Sequence, residues 1–184
     1  MRINSGTLKG RQLHAPPGLA VRPTSDKVKQ ALFNILSARI EGAVFLDLYA
    51  GTGSVGIEAL SRGAKQVFFV EKNREPIEYL KRNLSFPSFQ DRFLCFCTDA
   101  VTFLKRDEGI PFDIAFLDPP YEGNEIEKTL PLLGEDDMIT DGGRVIVQHF
   151  HKKALPEQTG KLKLSKKYTY GDTLLSFYEN CGKT

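Results

Sequence analysis

From Val44 to Phe150, short apolar runs alternate with segments whose apolar residues recur at helical spacing. The runs Val44–Tyr49, Gln66–Glu71, Phe93–Cys97, Asp113–Leu117 and Gly143–Phe150 read as strands. Helices are expected to begin near Ser54, Arg74, Ala100 and Asn124. Such alternation builds a mainly parallel sheet with helices on both faces, an α/β fold. The pattern changes at the end. There Lys161–Tyr170 and Thr173–Tyr178 flank Gly171-Asp172, which predicts an antiparallel hairpin. Ahead of the first strand, residues 1–15 alternate loosely and predict a small hairpin, broken by Pro16-Pro17-Gly18. A helix follows, capped by Thr24 or Ser25, with Asp26 in its first turn and Val28, Leu32, Ile35 and Leu36 on one stripe. This divides the chain into a hairpin-and-helix extension, residues 1–39, and a main domain, residues 40–184.

Composition narrows the class. A chain of 184 residues with 41% hydrophobic and 26% charged content suits one well-buried globular domain. No apolar run reads as a signal peptide or a spanning helix, so a cytoplasmic protein without a membrane partner is expected. Cys95 and Cys97 share one face of a strand and are expected to be buried thiols; with no His or Cys pair to complete a site, no metal is expected. The net charge of +2 is unevenly spread. Residues 1–39 carry seven Lys or Arg against one acid, and residues 151–168 six Lys against one acid. The segment between them carries eleven basic and nineteen acidic residues. Basic flanks around an acidic centre attract a polyanion to the edges of a domain.

Two motifs carry chemistry. In Asp47-Leu48-Tyr49-Ala50-Gly51-Thr52-Gly53-Ser54-Val55-Gly56, a buried strand runs through a glycine turn into a helix. Glycine permits the sharp turn and the close approach of backbone to a nucleotide. Glu71 ends the next strand twenty residues after Gly51, where a carboxylate meets ribose hydroxyls. The same spacing serves NAD-dependent dehydrogenases, but an acid at Asp47 suits a cationic, methionine-type ligand better. The second motif, Asp118-Pro119-Pro120-Tyr121, follows the fourth strand, at the carboxyl edge where parallel sheets place their chemistry. Asp118 and the Pro119 carbonyl can accept the hydrogens of a base amino group, Pro120 stiffens the turn, and Tyr121 offers a ring for the base, worth about 1–3 kcal/mol.

The glycine loop resembles motif I of class I S-adenosylmethionine-dependent methyltransferases. The tetrapeptide resembles that of amino-methyltransferases acting on adenine N6 or guanine N2. A finer resemblance lies in Arg2-Ile3, Gly6, Lys9-Gly10-Arg11-Gln12-Leu13, Arg22-Pro23-Thr24-Ser25-Asp26-Lys27-Val28 and Ala31-Leu32-Phe33-Asn34-Ile35-Leu36. With Tyr170-Gly171-Asp172-Thr173, these segments closely resemble the RsmD family, bacterial enzymes that methylate guanine N2 in 16S ribosomal RNA. The resemblance implies a Rossmann-like, mainly parallel seven-stranded sheet and S-adenosyl-L-methionine as cofactor. It implies Asp47 at the methionine end and Asp99 at the adenine, with Tyr49, Gly51, Gly53, Glu71 and Ala100 also binding the cofactor. Asp99 also suits a helix N-cap. The hairpin and Arg22-Pro23-Thr24 would cover the cleft and grip RNA, with Lys9 and Arg11 on phosphates. The implied partner is 16S rRNA within a small-subunit assembly particle, met by a monomer. Lys27, Lys29-Gln30 and Gln148-His149-Phe150-His151 depart from the family, which tends to place arginines at the first two sites and an acid after the fifth strand. The rival expectations are an adenine-N6 methyltransferase acting on RNA or DNA, a non-catalytic RNA-binding assembly factor, and a small dehydrogenase.

Overall fold

In the computed structural model, which describes residues 1–17, 26–106, 109–135 and 137–182, the apolar runs pair into one sheet. Its strands are β1 (Val44–Leu48), β2 (Gln66–Glu71), β3 (Phe93–Cys97), β4 (Phe112–Leu117), β5 (Ile139–Phe150), β6 (Gln158–Thr159), β7 (Leu162–Tyr170) and β8 (Thr173–Asn180). They lie in the order β3-β2-β1-β4-β5-β8-β7-β6. The first five are parallel, and β8, β7 and β6 add antiparallel pairs. Seven strands form the expected class I sheet, and the two-residue β6 adds an edge that the apolar pattern does not announce.

Strand parity explains why both faces are covered. Phe45, Phe69, Phe116 and Ile146 point to one side, where α1 (Asp26–Leu36), α2 (Ser54–Ser61) and α3 (Arg74–Asn83) pack. Leu46, Phe68, Leu117 and Val147 point to the other, beneath α4 (Ala100–Leu104) and α5 (Glu125–Gly134). Parallel strands buried on both faces require this continuous apolar character. Among the described residues, no helix is long and apolar enough to cross a membrane.

Local chemistry sets the differences from expectation. β1 stops at Leu48 because Tyr49 adopts a left-handed conformation (φ 66°). β5 begins at Ile139, four residues early, with a register irregularity against β4. Cys95 is only half-buried and Cys97 is exposed, correcting the expectation of buried thiols: β3 is an edge strand. On α1, Val28, Leu32 and Leu36 are buried as expected, but Lys29 and Phe33 join them while Ile35 is only half-buried.

The N-terminal hairpin reduces to one antiparallel bridge, Arg2 with Gln12, supported by backbone bonds from Ile3 to Arg11 and from Leu13 to Met1. Ile3 and Leu13 enter the same apolar layer as α1 and α2. The predicted cap at Thr24 or Ser25, and Arg22, lie outside the described residues.

Candidate active site

The carboxyl ends of four parallel strands place one polar residue each on the α2 side of the sheet. Asp47 of β1 pairs in register with Phe69 of β2 and Phe116 of β4. Two residues further on, the same parity delivers Glu71 and Asp118, and on β5 it delivers Gln148 two residues past Ile146. All four line one cavity of about 620 Å³, within the size range of small-molecule and cofactor sites. The glycine turn (Gly51, Thr52, Ser54) borders it on one side, and Pro119, Pro120 and Tyr121 on the other. Two motifs separated by some seventy residues of sequence therefore meet in one cleft.

Asp47 is 2% exposed and accepts the Gly56 N–H of α2 at 2.8 Å. Burial pushes its carboxyl up to about 8; the Gly56 bond opposes the shift, and the nearby Asp118 and Glu71 charges add to it. Glu71 accepts the Gly51 N–H at 2.9 Å on one oxygen, and the Asn73 backbone and amide N–H groups at 2.8 and 2.9 Å on the other. The glycine turn is thus tied to the next strand through a carboxylate. Gly51 needs its positive φ of 55°, and a Cβ there would meet no atom within 4 Å, so its backbone stands open to the cavity. Gly53 serves differently. It is not part of the cavity lining, and a Cβ would collide with Leu80 and Ile57, so it lets α3 approach α2.

Tyr49 lines the cavity, while its hydroxyl lies 3.4 Å from Glu125 of α5; burial raises that hydroxyl well above its ordinary range. Asp99 is exposed and caps α4, accepting the Thr102 N–H at 2.8 Å, a bond that holds its carboxyl below the usual range. Neither Asp99 nor Ala100 is among the cavity-lining residues.

On the tetrapeptide side, Asp118 accepts a hydrogen bond from Gln148 Nε2 at 2.9 Å. Tyr121 is hydrogen-bonded to Thr173 across 3.1 Å, with its ring 6.2 Å from that of Phe150. This ties the tetrapeptide to the turn between β7 and β8 and gives the closing Gly171-Asp172-Thr173 a reason to accompany it. Lys153 steadies the following loop, donating to the Gly123 carbonyl at 3.0 Å and pairing with Glu127. His149 is buried on the opposite face, between Ser176 Oγ at 2.8 Å and the Phe150 carbonyl at 3.0 Å, and burial lowers its pKa. It holds β5 to β8 and faces away from the cleft.

Sequence reasoning left Ser54, Lys72, Asn73 and Gln148 out of the site, although all four line it. For Gln148 the signal was present in its place at a strand's carboxyl end, in phase with Ile146. Of the remaining expected residues, Lys9 and Arg11 are exposed on the hairpin, Arg11 stacking over the Phe86 ring at 4.9 Å. Met1 of the same hairpin lines the cavity, whereas Lys9 and Arg11 are not among its lining residues. Arg22 and Thr24 lie outside the described residues.

Residues 1–179 match the family model described as conserved hypothetical protein 95. The chain is 38% identical to the candidate rRNA methyltransferase YlbH of Bacillus subtilis (strain 168), covering 99% of this chain and all of that protein. It is 35% identical to ribosomal RNA small subunit methyltransferase D of Haemophilus influenzae, covering 98% and 94%. Among solved structures, the candidate methyltransferase yhhF of Escherichia coli superposes with a TM-score of 0.87 at 32% identity, over 98% of this chain and 97% of that one. An RNA methyltransferase from Salinibacter ruber in complex with S-adenosyl-L-homocysteine shares the fold at 16% identity, with a TM-score of 0.67 over 88% and 95%. The sheet order, the cleft built from two motifs and this near full-length match lead to one conclusion: the chain belongs to the conserved hypothetical protein 95 family, that of the RsmD methyltransferases.

Proposed function

We propose that this protein is an S-adenosylmethionine-dependent rRNA methyltransferase that modifies the exocyclic N2 amino group of a guanine in 16S rRNA. The observation that carries the proposal is the meeting of Asp118-Pro119-Pro120-Tyr121 with the glycine turn in one cavity. The names of the relatives support rRNA as substrate, and the tetrapeptide together with the N-terminal resemblance supports guanine N2.

The residues present fit the cofactor. The open backbone at Gly51, the buried Asp47 and the Ser54 hydroxyl, a buried oxygen without a hydrogen-bond partner among the described residues, form a polar cradle. When bound, S-adenosylmethionine supplies a methyl group on positively charged sulfur. Asp47 and the Gly51 turn would hold its methionine end, where a positive charge would favour the ionised form of Asp47. Glu71 would take the ribose hydroxyls: a carboxylate has about four acceptor sites, and its protein partners leave capacity. Asp99, at the end of β3, is the proposed adenine contact.

The chain's remaining task is to prepare the amine. A base amino group is a poor nucleophile because its lone pair is delocalised into the ring. Accepting one of its hydrogens at Asp118 favours the pyramidal form in which the lone pair is available. Methylation would leave positive charge on the base nitrogen; the Asp118 carboxylate would stabilise that charge and take the proton released. Tyr121, held by Thr173 and beside Phe150, would supply a stacking surface that orients the base.

The test is transfer of labelled methyl groups to unmodified small-subunit particles and to naked 16S RNA, followed by nucleoside analysis. N2-methylguanosine is expected; N6-methyladenosine would overturn the choice of base, and no transfer despite bound cofactor would favour a non-catalytic assembly role. Asp118→Ala is expected to lower transfer by about 10²–10⁴-fold with little change in cofactor affinity. Loss of cofactor binding along with transfer would mean that Asp118 shapes the pocket instead.

A further inference from the structure

The contact between Gln148 and Asp118 has an unusual balance. Gln148 is 4% exposed, lines the cavity, and donates Nε2 to Asp118 Oδ1 at 2.9 Å. Its other amide atom, Oε1, is buried and has no hydrogen-bond partner among the described residues. Turning the amide over would set Oε1 against a carboxylate, so the orientation is dictated by Asp118. A native fold that leaves a buried acceptor unsatisfied does so where another requirement dominates. A purely structural residue at this place would be apolar, like Ile146 two positions earlier on the same face of β5. The resemblance to the RsmD pattern adds that Gln148-His149-Phe150-His151 stands where an acid is common after the fifth strand.

We propose that Gln148 is a positioning residue for Asp118: its amide donor fixes the carboxylate's direction and, being uncharged, lets it stay ionised without sharing a proton. The inference rests on the role given to Asp118 in the proposed function. Among the described residues, the other titratable groups around the cavity are the Met1 amino end, Asp47 and Tyr49 at the end of β1, Glu71 and Lys72 at the end of β2, and Tyr121 and Glu122 beside Asp118. Asp47, Glu71 and Glu122 are acidic, so a further carboxylate on β5 would add to an already negative cleft. The amide closes the β5 side of the site with a donor and no charge. Like charges at hydrogen-bond distance push one partner toward the protonated form, and a protonated Asp118 cannot receive the amine's proton.

Two variants test this on the full-length protein, with unmodified small-subunit particles as substrate. Gln148→Met removes donor and orphaned acceptor while keeping volume. The turnover number is expected to fall at least tenfold, with KM and cofactor affinity within about twofold and the melting temperature unchanged or higher. Gln148→Glu replaces the donor by a second carboxylate. The acid limb of its rate–pH profile is expected to move up by one pH unit or more, with activity recovering at high pH. Wild-type turnover in Gln148→Met together with an unmoved acid limb in Gln148→Glu would overturn the inference. So would a melting temperature for Gln148→Met that falls in step with its activity, if the Gln148→Glu profile is unmoved. Failure of the function itself looks different: Asp118→Ala would then retain transfer. An inactive Asp118→Ala beside a fully active Gln148→Met would sink only the role of Gln148.

Discussion

At the scale of single residues, the site holds charges under tension with burial. Asp47 is the clearest case, its folded-state pKa pushed by burial from the ordinary 3.8 up to about 8. Between those values the native state keeps a proton that the unfolded chain has released, so acid favours the fold. That stabilisation is complete below about pH 4 and is lost as pH rises through about 8, at up to about 1.4 kcal/mol per pH unit. Asp47→Asn carries no such titration and can still accept the Gly56 N–H. Urea denaturation should find the two proteins similar near pH 4 and the Asn variant more stable by a few kcal/mol near pH 8. Stability–pH curves that run parallel would refute the buried, raised carboxyl. The same substitution removes the charge proposed to meet the cofactor, so its affinity should fall as stability rises, the usual trade at functional sites. The place of an acid at the strand's end, beside the glycine turn and on the cavity, was legible in the sequence. Its bond to Gly56 was not, because the return of α2 over β1 belongs to the fold and not to local pattern.

At the scale of elements, one buried ion pair joins the N-terminal hairpin, α1 and α2. Lys29 Nζ donates to the Arg2 carbonyl at 2.7 Å and lies 3.5 Å from Glu58, and both side chains are fully buried. Glu58 also accepts the Asn4 and Ser5 backbone N–H groups at 2.7 and 3.0 Å, and Arg62 Nε at 2.8 Å. Burial lowers the Lys29 pKa, with Glu58 resisting. Removing one partner strands the other in the core, a change that typically costs about 3–5 kcal/mol. Glu58→Ala should therefore destabilise by roughly that amount, and a Lys29→Met, Glu58→Gln double variant should recover much of it; additive losses in a double-mutant cycle would count against a coupled pair. Helical spacing correctly placed Val28, Leu32 and Leu36 inside, but took Lys29 as a basic residue in a family position, because its partner is twenty-nine residues away. The edge position of β3, which exposes Cys97, was hidden for the same reason: strand order is a long-range property, whereas strand existence and parity are written locally.

At the scale of the whole molecule, the two basic segments matter through where the fold puts them. The N-terminal hairpin is bound to the end of α2 through Thr7 N–H on the Ser61 carbonyl at 2.8 Å and Leu8 N–H on Ser61 Oγ at 3.0 Å. Met1, at the start of the hairpin, reaches the cavity wall, while Lys9 and Arg11 are exposed further along the hairpin. On the other side, Lys152 reaches within 5.9 Å of the Phe150 ring, next to Tyr121. A polyanion spanning the cleft and the hairpin would meet Lys152 on one side and Lys9 with Arg11 on the other, while Asp47, Glu71 and Asp118 keep the cavity floor negative. Each cation that neutralises a phosphate of single-stranded RNA adds about 0.7 to the slope of log affinity against log salt. Replacing Lys9 and Arg11 together by alanine should thus flatten that slope by about 1.4 and weaken binding most at low salt, with cofactor affinity unchanged. Filter binding of 16S RNA fragments across a salt series measures it directly. A slope identical to wild type would free the hairpin from any part in holding RNA and leave it as the clasp that the Lys29–Glu58 pair already makes it.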